Sequence, residues 1–311
     1  MLNPVHLRTL TTVIRTGSFA DAARHLGYTG SAVSQQIAAL ERVVKMPLFE
    51  RDAHSVRPTP AGEFIAERAR DSLAALGSLE DDIRGMSQGS IGRLRLGSFP
   101  TASERLLPLT LAAFARQHPA VEVLLDEAEP DELIPLLQVA ELDLGLVYRY
   151  NLVPRPWPRN LTATHLLDEL LVLLLPARHP LADADVVRVD DLHEETWIST
   201  REGTSGASCL RRMCAAAGFV PQVVYRSNDY DVITSFVASG LGIALVPTLG
   251  LMPHPDVVSS RFAETEVHRQ VTVLHGSSKA NPAVEGLVRE LQKSARTLGE
   301  QIPGITVPKQ S

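Results

Sequence analysis

The run Ser31-Ala-Val-Ser-Gln-Gln-Ile-Ala-Ala-Leu-Glu41, within the stretch Gly17 to Arg57, decides how this chain is read. Ala32, Val33, Ile37 and Leu40 recur at helical spacing, whereas Ser31, Ser34, Gln35 and Arg42 fall on other faces. One face packs and the other offers hydrogen bonds. Just upstream, Ser18-Phe-Ala-Asp21 predicts a second short helix, with Ser18 as N-cap and an acid three residues on. Phe19, Ala22, Ala23 and Leu26 form its core side, and Gly27 suits the left-handed residue that ends a helix. Tyr28, Thr29 and Gly30 leave room only for a tight turn, so the spacing predicts two short helices at a steep angle, a helix-turn-helix.

In such a pair the second helix enters the DNA major groove by its N-terminal end, where short polar side chains reach base edges or phosphates. Thr29, Ser31, Ser34, Gln35 and Gln36 are assigned to that surface. Downstream, Pro47-Leu48-Phe49 and Val56-Arg57-Pro58-Thr59 read as short extended arms around the turn Asp52-Ala-His-Ser55, a wing. Arg51 and Arg57 on the arms, with Thr59, complete the DNA-facing set through phosphates or the minor groove. Periodicity alone leaves open whether the two helices read DNA or simply pack.

Gly17-Ser-Phe19, Ala22-Ala23, Leu26, Ser31-Ala-Val-Ser34, Ile37, Leu40-Glu41, Leu48-Phe49-Glu-Arg51 and Thr59-Pro-Ala-Gly62 together resemble the winged helix-turn-helix of LysR-type transcriptional regulators. The resemblance implies operator binding by this head. Two departures stand out: Gly30 and Ser31 replace the family's frequent Gln-Pro, and Lys45 stands where a glycine usually ends the recognition helix. A left-handed Lys45 carries a little strain.

At 311 residues the chain is long enough for two or three domains with cores of their own, and 44% hydrophobic with 21% charged residues is ordinary for a globular protein. The formal net charge of -6 argues against DNA binding only if taken whole. Residues 1 to 58 hold seven Lys and Arg against four acids, +3, which leaves -9 for the remainder. A basic head on an acidic body fits a nucleic-acid reader whose other part does something else. Met1-Leu-Asn-Pro-Val-His6 lacks the pattern of a secretory signal and Leu170 to Pro176 is too short to span a bilayer, so the expectation is a cytoplasmic protein without a membrane partner.

Asn3 and Pro4 open the first helix, whose buried stripe is Leu7, Leu10, Val13 and Ile14. From Thr59 a long helix is predicted, with Ile65, Ala69, Leu73, Leu76, Leu79, Ile83 and Met86 at alternating gaps of three and four. That spacing reads as the seam of a homodimer, or as one amphipathic helix packed on its own domain. The resemblance supports the dimerising linker and admits a homotetramer. Ser87-Gln-Gly-Ser-Ile-Gly92 is a polar hinge. The domains expected are therefore a DNA-binding head at 1–58, a linker helix and hinge at 59–90, and an effector domain at 91–302.

Beyond the hinge, strands alternate with helices: Arg93 to Ser98, a helix from Ser103 to Gln117, Val121 to Leu125, a helix from Asp131 to Ala140, and Leu142 to Tyr148. This order predicts a largely parallel sheet covered on both faces. A second set follows: strand Leu170 to Leu175, strand Thr196 to Ser199, a helix from Ser205 to Ala217, strand Gln222 to Tyr225, a helix from Tyr230 to Ser239, and strand Ile243 to Val246. Strand Gln270 to Leu274 and a helix from Ala283 to Gly299 then close the fold. The fold class is thus α/β, with lobe I near 91–160 and 267–302 and lobe II near 161–266. Leu142 to Val147, Leu173 to Leu181 and Val237 to Pro247 resemble the family's effector-binding domain, whose fold is that of periplasmic ligand-binding proteins.

In open α/β sheets a ligand sits beyond the carboxyl ends of strands, where helix N-termini present free N–H groups. Ser98-Phe-Pro-Thr-Ala-Ser103 and Gly203-Thr-Ser-Gly206 are such turns, each suited to a small anion or carboxylate. Thr101, Ser103, Thr204 and Ser205 are equally readable as simple caps. Ser98, Phe99, Thr101, Ser103, Tyr148, Arg149, Thr200, Arg201, Thr204, Ser227 and Asn228 make up the expected ring around a small anionic effector.

Cys209 and Cys214 make neither a disulfide framework nor a metal motif, though some relatives sense oxidants through two cysteines in this lobe. On an intact helix, residues five apart lie about 140° round the axis, beyond disulfide reach, so redox sensing is the lesser alternative. The ten histidines show no H-E-x-x-H or paired metal spacing, and no catalytic constellation or cofactor motif is present. A solute-binding protein and a metabolic enzyme are the rival readings.

Overall fold

The computed structural model describes residues 1–52, 55–88, 92–263, 266–276, 281 and 283–308. The tip of the expected wing turn at 53–54, the centre of the expected hinge at 89–91, and the side chains of Arg51, Ile83 and Met86 lie outside the described residues.

Three helices form the head: α1 (Pro4–Thr16), α2 (Phe19–Leu26) and α3 (Gly30–Val44). Each begins on a side chain that accepts from an otherwise orphaned N–H: Asn3 Oδ1 from Val5 at 2.9 Å, Ser18 Oγ from Asp21 at 3.3 Å, and Thr29 Oγ1 from Ala32 at 3.2 Å. Gly27 ends α2 in the left-handed region, and Lys45 ends α3 there with φ 57° despite its side chain. Leu10, Val33, Leu40 and Leu48 are wholly buried between the three helices. Strands β1 (Phe49–Asp52) and β2 (Ser55–Pro58) pair antiparallel as the wing. The wing is pinned by the edge-on Phe19–Phe49 contact at 5.4 Å and by Glu41 Oε1, which accepts from Leu48 N at 2.8 Å.

Helix α4 (Pro60–Gln88) starts against this wing. Gly62 is obligatory there because a Cβ would lie 2.3 Å from the Leu48 carbonyl oxygen. The expected seam divides into two parts. Ala69 and Leu73 are buried in the head's own core and Ile65 packs against it, so this half is already occupied within the chain. Leu76 and Leu79 remain exposed, as does Phe64 three turns earlier on the helix.

The rest of the described chain comprises β3 (Arg93–Ser98), α5 (Pro100–Arg105), α6 (Leu107–Gln117), β4 (Glu122–Glu127), α7 (Pro130–Gln138), β5 (Leu144–Tyr150) and β6 (Thr162–Pro176). There follow β7 (Val186–Val187), β8 (Thr196–Ser199), α8 (Ser205–Ala216), β9 (Gln222–Arg226), α9 (Tyr230–Ala238) and β10 (Ile243–Pro247). The last elements are β11 (Val257–Phe262), β12 (His268–His275), α10 (Ala283–Gln301) and β13 (Ile305–Thr306). The main strand order is β4-β3-β5-β12-β6-β10-β8-β9. Strands β4, β3 and β5 are parallel, as are β10, β8 and β9, while β12 and β6 run antiparallel to their neighbours.

Three expectations change. The single helix expected from Ser103 breaks into α5 and α6, because Pro108 has no N–H to donate and its ring crowds the preceding turn. Helix α5 begins at Pro100, which places Thr101 and Ser103 inside a helix rather than in a turn before one. Strand β6 starts at Thr162, not Leu170, and belongs to both sheets: residues 162–170 pair with β12, while 171–176 pair with β10 and β11. The changeover between lobes expected at 161 thus falls inside a strand. Among the described residues, no helix is long and apolar enough to cross a membrane.

Candidate functional site

On α3, the side chains of Ser31, Ser34 and Gln35 are exposed along one edge, with Thr29 at its head. Thr29 also caps, so its oxygen is shared between Ala32 N and the Ser31 hydroxyl 3.0 Å away. Gln36 turns inward instead: it is half-buried, and its Oε1 accepts from the Thr9 hydroxyl at 2.5 Å. Arg57 is exposed on the wing. Thr59 is engaged in structure, its hydroxyl donating to the Pro47 carbonyl at 2.8 Å and accepting from Gly62 N at 3.1 Å.

Where the strands of the two lobes meet, a small cavity is lined by Phe99, Pro100, Thr101, Glu129, Tyr148, Tyr150, Thr200, Thr204, Gly206, Asn228, Tyr230 and Arg269. Its floor is an ion pair. Arg269 donates through Nε and Nη2 to Glu169 Oε1, each at 2.7 Å, and through Nη2 to Thr101 Oγ1 at 2.7 Å. The second Glu169 oxygen accepts from Leu249 N at 2.7 Å, and neither side chain sees more than a trace of solvent. The guanidinium lies 4.9 Å from the Phe99 ring centre and 4.6 Å from that of Tyr148. Burial pushes the Glu169 carboxyl up while Arg269 pulls it back. Burial also works against the charge on Arg269, but the Glu169 carboxylate holds it above the ordinary arginine range.

On lobe I, the Tyr148 hydroxyl donates to Glu129 Oε2 at 2.6 Å; burial and that carboxylate hold the phenol well above its usual range, so it remains a donor. On lobe II, Thr204 caps α8, accepting from Ala207 N at 3.2 Å and sitting 2.7 Å from the Thr200 hydroxyl. Asn228 Oδ1 accepts from Arg201 N at 3.0 Å, which turns its amide nitrogen away from that contact.

Phe99, Thr101, Tyr148, Thr200, Thr204 and Asn228 of the expected ring thus share one cavity. Five do not. Arg149 falls on the opposite face of β5 from Tyr148 and Tyr150, where its side chain donates to Gln270 Oε1 at 2.8 Å and the Arg155 carbonyl at 2.9 Å. Tyr148 and Arg149 lie inside β5 rather than after a strand. Ser98 is buried, its hydroxyl 3.3 Å from the Phe99 carbonyl; Ser103 Oγ is buried without a partner; Ser227 accepts from Asp229 N; and Arg201 is exposed. Sequence reasoning missed Glu129, Tyr150, Tyr230, Glu169 and Arg269. For Arg269 a signal existed: it alternates with Val271 and Val273 on the inward register of β12.

Cys209 and Cys214 are wholly buried on α8, where burial pushes both thiols up to about 12. Among the described residues, no group of three or more potential ligands is placed to hold a metal ion.

Residues 4–63 match the family model described as bacterial regulatory helix-turn-helix protein, lysR family, and residues 87–296 match the LysR substrate binding domain. The chain is 30% identical over 302 residues to the probable HTH-type transcriptional regulator LrrA of Synechococcus elongatus, covering 94% of this chain and 98% of that one. It is 31% identical over 306 residues to the HTH-type transcriptional regulator CfxR of Cupriavidus necator, covering 96% and 94%. Among solved structures it resembles a full-length OxyR variant from Pseudomonas aeruginosa, with TM-score 0.63, 22% identity and coverage of 100% and 99%. Full-length CbnR complexed with its target DNA aligns with TM-score 0.56, 24% identity and coverage of 94% and 100%. These two likenesses are of fold.

Proposed function

We infer the function from the premise that this chain belongs to the LysR family of transcriptional regulators, the family matched by both its head and its lobes. It is a transcriptional regulator with a helix-turn-helix DNA-binding domain and an effector-binding domain, not an enzyme. Our reading is that residues 1–58 bind operator DNA in the cytoplasm, 59–90 pair two copies, and 91–302 hold a small anionic metabolite. The exposed edge of α3 carries it: Ser31, Ser34 and Gln35 project from a helix whose other face is the head's core. Arg57 supports it from the wing, and Leu76 and Leu79 offer the dimer an uncovered apolar edge.

Effector binding would shift the balance between two dimer or tetramer arrangements with differently spaced heads. The redox alternative finds no support in two buried, fully protonated thiols. A mobility-shift assay with the gene's own upstream region tests the DNA reading. Ser34→Ala with Arg57→Ala should weaken the shift, and normal retardation by the double variant would refute the assigned surface. Titration with metabolite pools tests the cleft: Thr101→Ala and Thr204→Ala should reduce binding, and unchanged binding would remove the cleft as effector site.

A further inference from the structure

The head and lobe I do not close on one another completely. Helices α1 and α4 on one side and α7 on the other border a cavity of about 340 Å³, within the roughly 300–1,000 Å³ typical of ligand pockets, which form preferentially at domain interfaces. Ile14, Ala66, Pro135 and Val139 give it a mainly apolar lining. Three charged side chains join them, Arg15, Arg70 and the exposed Glu63, so the cavity carries a net positive charge.

Arg15 indicates what the cavity suits. Its Nε and Nη2 are enclosed and meet no acceptor among the described residues. These two nitrogens form the side-on fork of a guanidinium, and Arg95 uses the same pair to grip Asp143 at 3.1 and 3.0 Å. Glu63 lines the same cavity but makes no ion pair with Arg15. A desolvated fork without an acceptor is unfavourable, so an acceptor brought to it gains more than one brought to a solvated arginine. Because Arg15 itself lines the cavity, a turn about the last torsions of its flexible side chain carries the fork onto an acceptor held there.

We propose that this cavity is a small-molecule site separate from the cleft between the lobes, and that it takes a monocarboxylate with an apolar body. The carboxylate sits on the Arg15 fork and the body lies against Ile14, Ala66, Pro135 and Val139. The proposal does not rest on the cleft holding an effector. Its place has a consequence: Glu129 at the capped start of α7 lines the cleft, while Val139 just past its end lines this cavity. A molecule seated here braces the head against the helix that borders the cleft.

Titration calorimetry of the full-length protein with phenylacetate and hexanoate, each against its primary amide, tests this. At least one acid should bind, and its amide about tenfold or more weakly, as expected when hydrogen bonds to a charged group are lost. Arg15→Gln should bring acid and amide level, and Val139→Trp, which fills the cavity, should block both, while thermal melting reports the fold of each variant. Each variant tests the site by itself, so misfolding of one leaves the other. Failure of all four probes to bind, an amide that binds as tightly as its acid, or a folded variant of either kind with unaltered binding overturns the site. None of these outcomes bears on the cleft.

Discussion

Arg269 and Glu169 are directly paired residues on β12 and β6, and each makes one further bond into a different part of the fold. Arg269 reaches Thr101 at the start of α5, while Glu169 accepts from Leu249 beyond β10. One buried ion pair therefore ties the first helix of lobe I to the loop that leaves the central strand of lobe II.

Removing one partner should be far worse than removing both. Glu169→Ala leaves a guanidinium buried without its counter-charge and is expected to cost about 3–5 kcal/mol of stability. The double variant Glu169→Leu with Arg269→Met should recover most of that loss in urea denaturation. Equal stability of single and double variants would show that the pair carries little.

The two glutamines at the middle of α3 should separate by assay. Gln35→Ala is expected to weaken operator binding and leave unfolding unchanged, since its side chain projects outward. Gln36→Ala removes the link between α1 and α3, leaving the Thr9 hydroxyl only the Val5 carbonyl of its own helix, and should lower stability by about 1 kcal/mol. Interchanged results in mobility-shift and denaturation measurements would mean that the face of α3 is misassigned.

Gly62→Ala should disturb the junction of wing and linker helix. The new methyl meets the Leu48 carbonyl, a backbone atom that cannot swing aside, and overpacking of this kind costs about 1–3 kcal/mol. A thermal midpoint unchanged from the native protein would show that α4 can shift to accept it.

Alkaline pH should destabilise the fold through its thiols. Cys209 and Cys214 rise from 9.0 to about 12 on folding, so the folded state favours the protonated form. Their contribution is fully present below pH 9 and is lost progressively between pH 9 and 12 as the unfolded thiols ionise first. Thiol-specific reagents at pH 8 should label neither cysteine until the protein unfolds. Rapid labelling of the native protein would contradict the burial of both.

Much of the head was readable, because its signals are local: caps at Asn3 and Ser18, a left-handed glycine at 27, and an apolar stripe of period 3.6; the cap at Thr29 was read only as a turn and DNA-facing residue. The alternation of strands and helices was legible in order, but β7, β11 and β13 were not expected and β6 begins well before the expected strand. The cleft was only half legible. Its hydroxyls sit at strand-to-helix junctions, where sequence order betrays them, whereas Arg269 and Glu169 sit in mid-strand and meet only because β12 and β6 pair across about a hundred residues of chain. Tyr150 was missed because β5 runs past the expected end at Tyr148, and Arg149 was misplaced for the same reason: alternation within a strand sends neighbours to opposite faces.

The continuity of β6 limits how the protein can be dissected. Since 162–170 complete the sheet of one lobe and 171–176 that of the other, a fragment ending at 160 lacks both β6 and the β12 strand that lies between it and β5, and one beginning at 177 lacks the edge on which β10 and β11 hydrogen-bond. Neither piece carries a finished sheet. Genetic halves of the effector domain would have to overlap through this strand to fold.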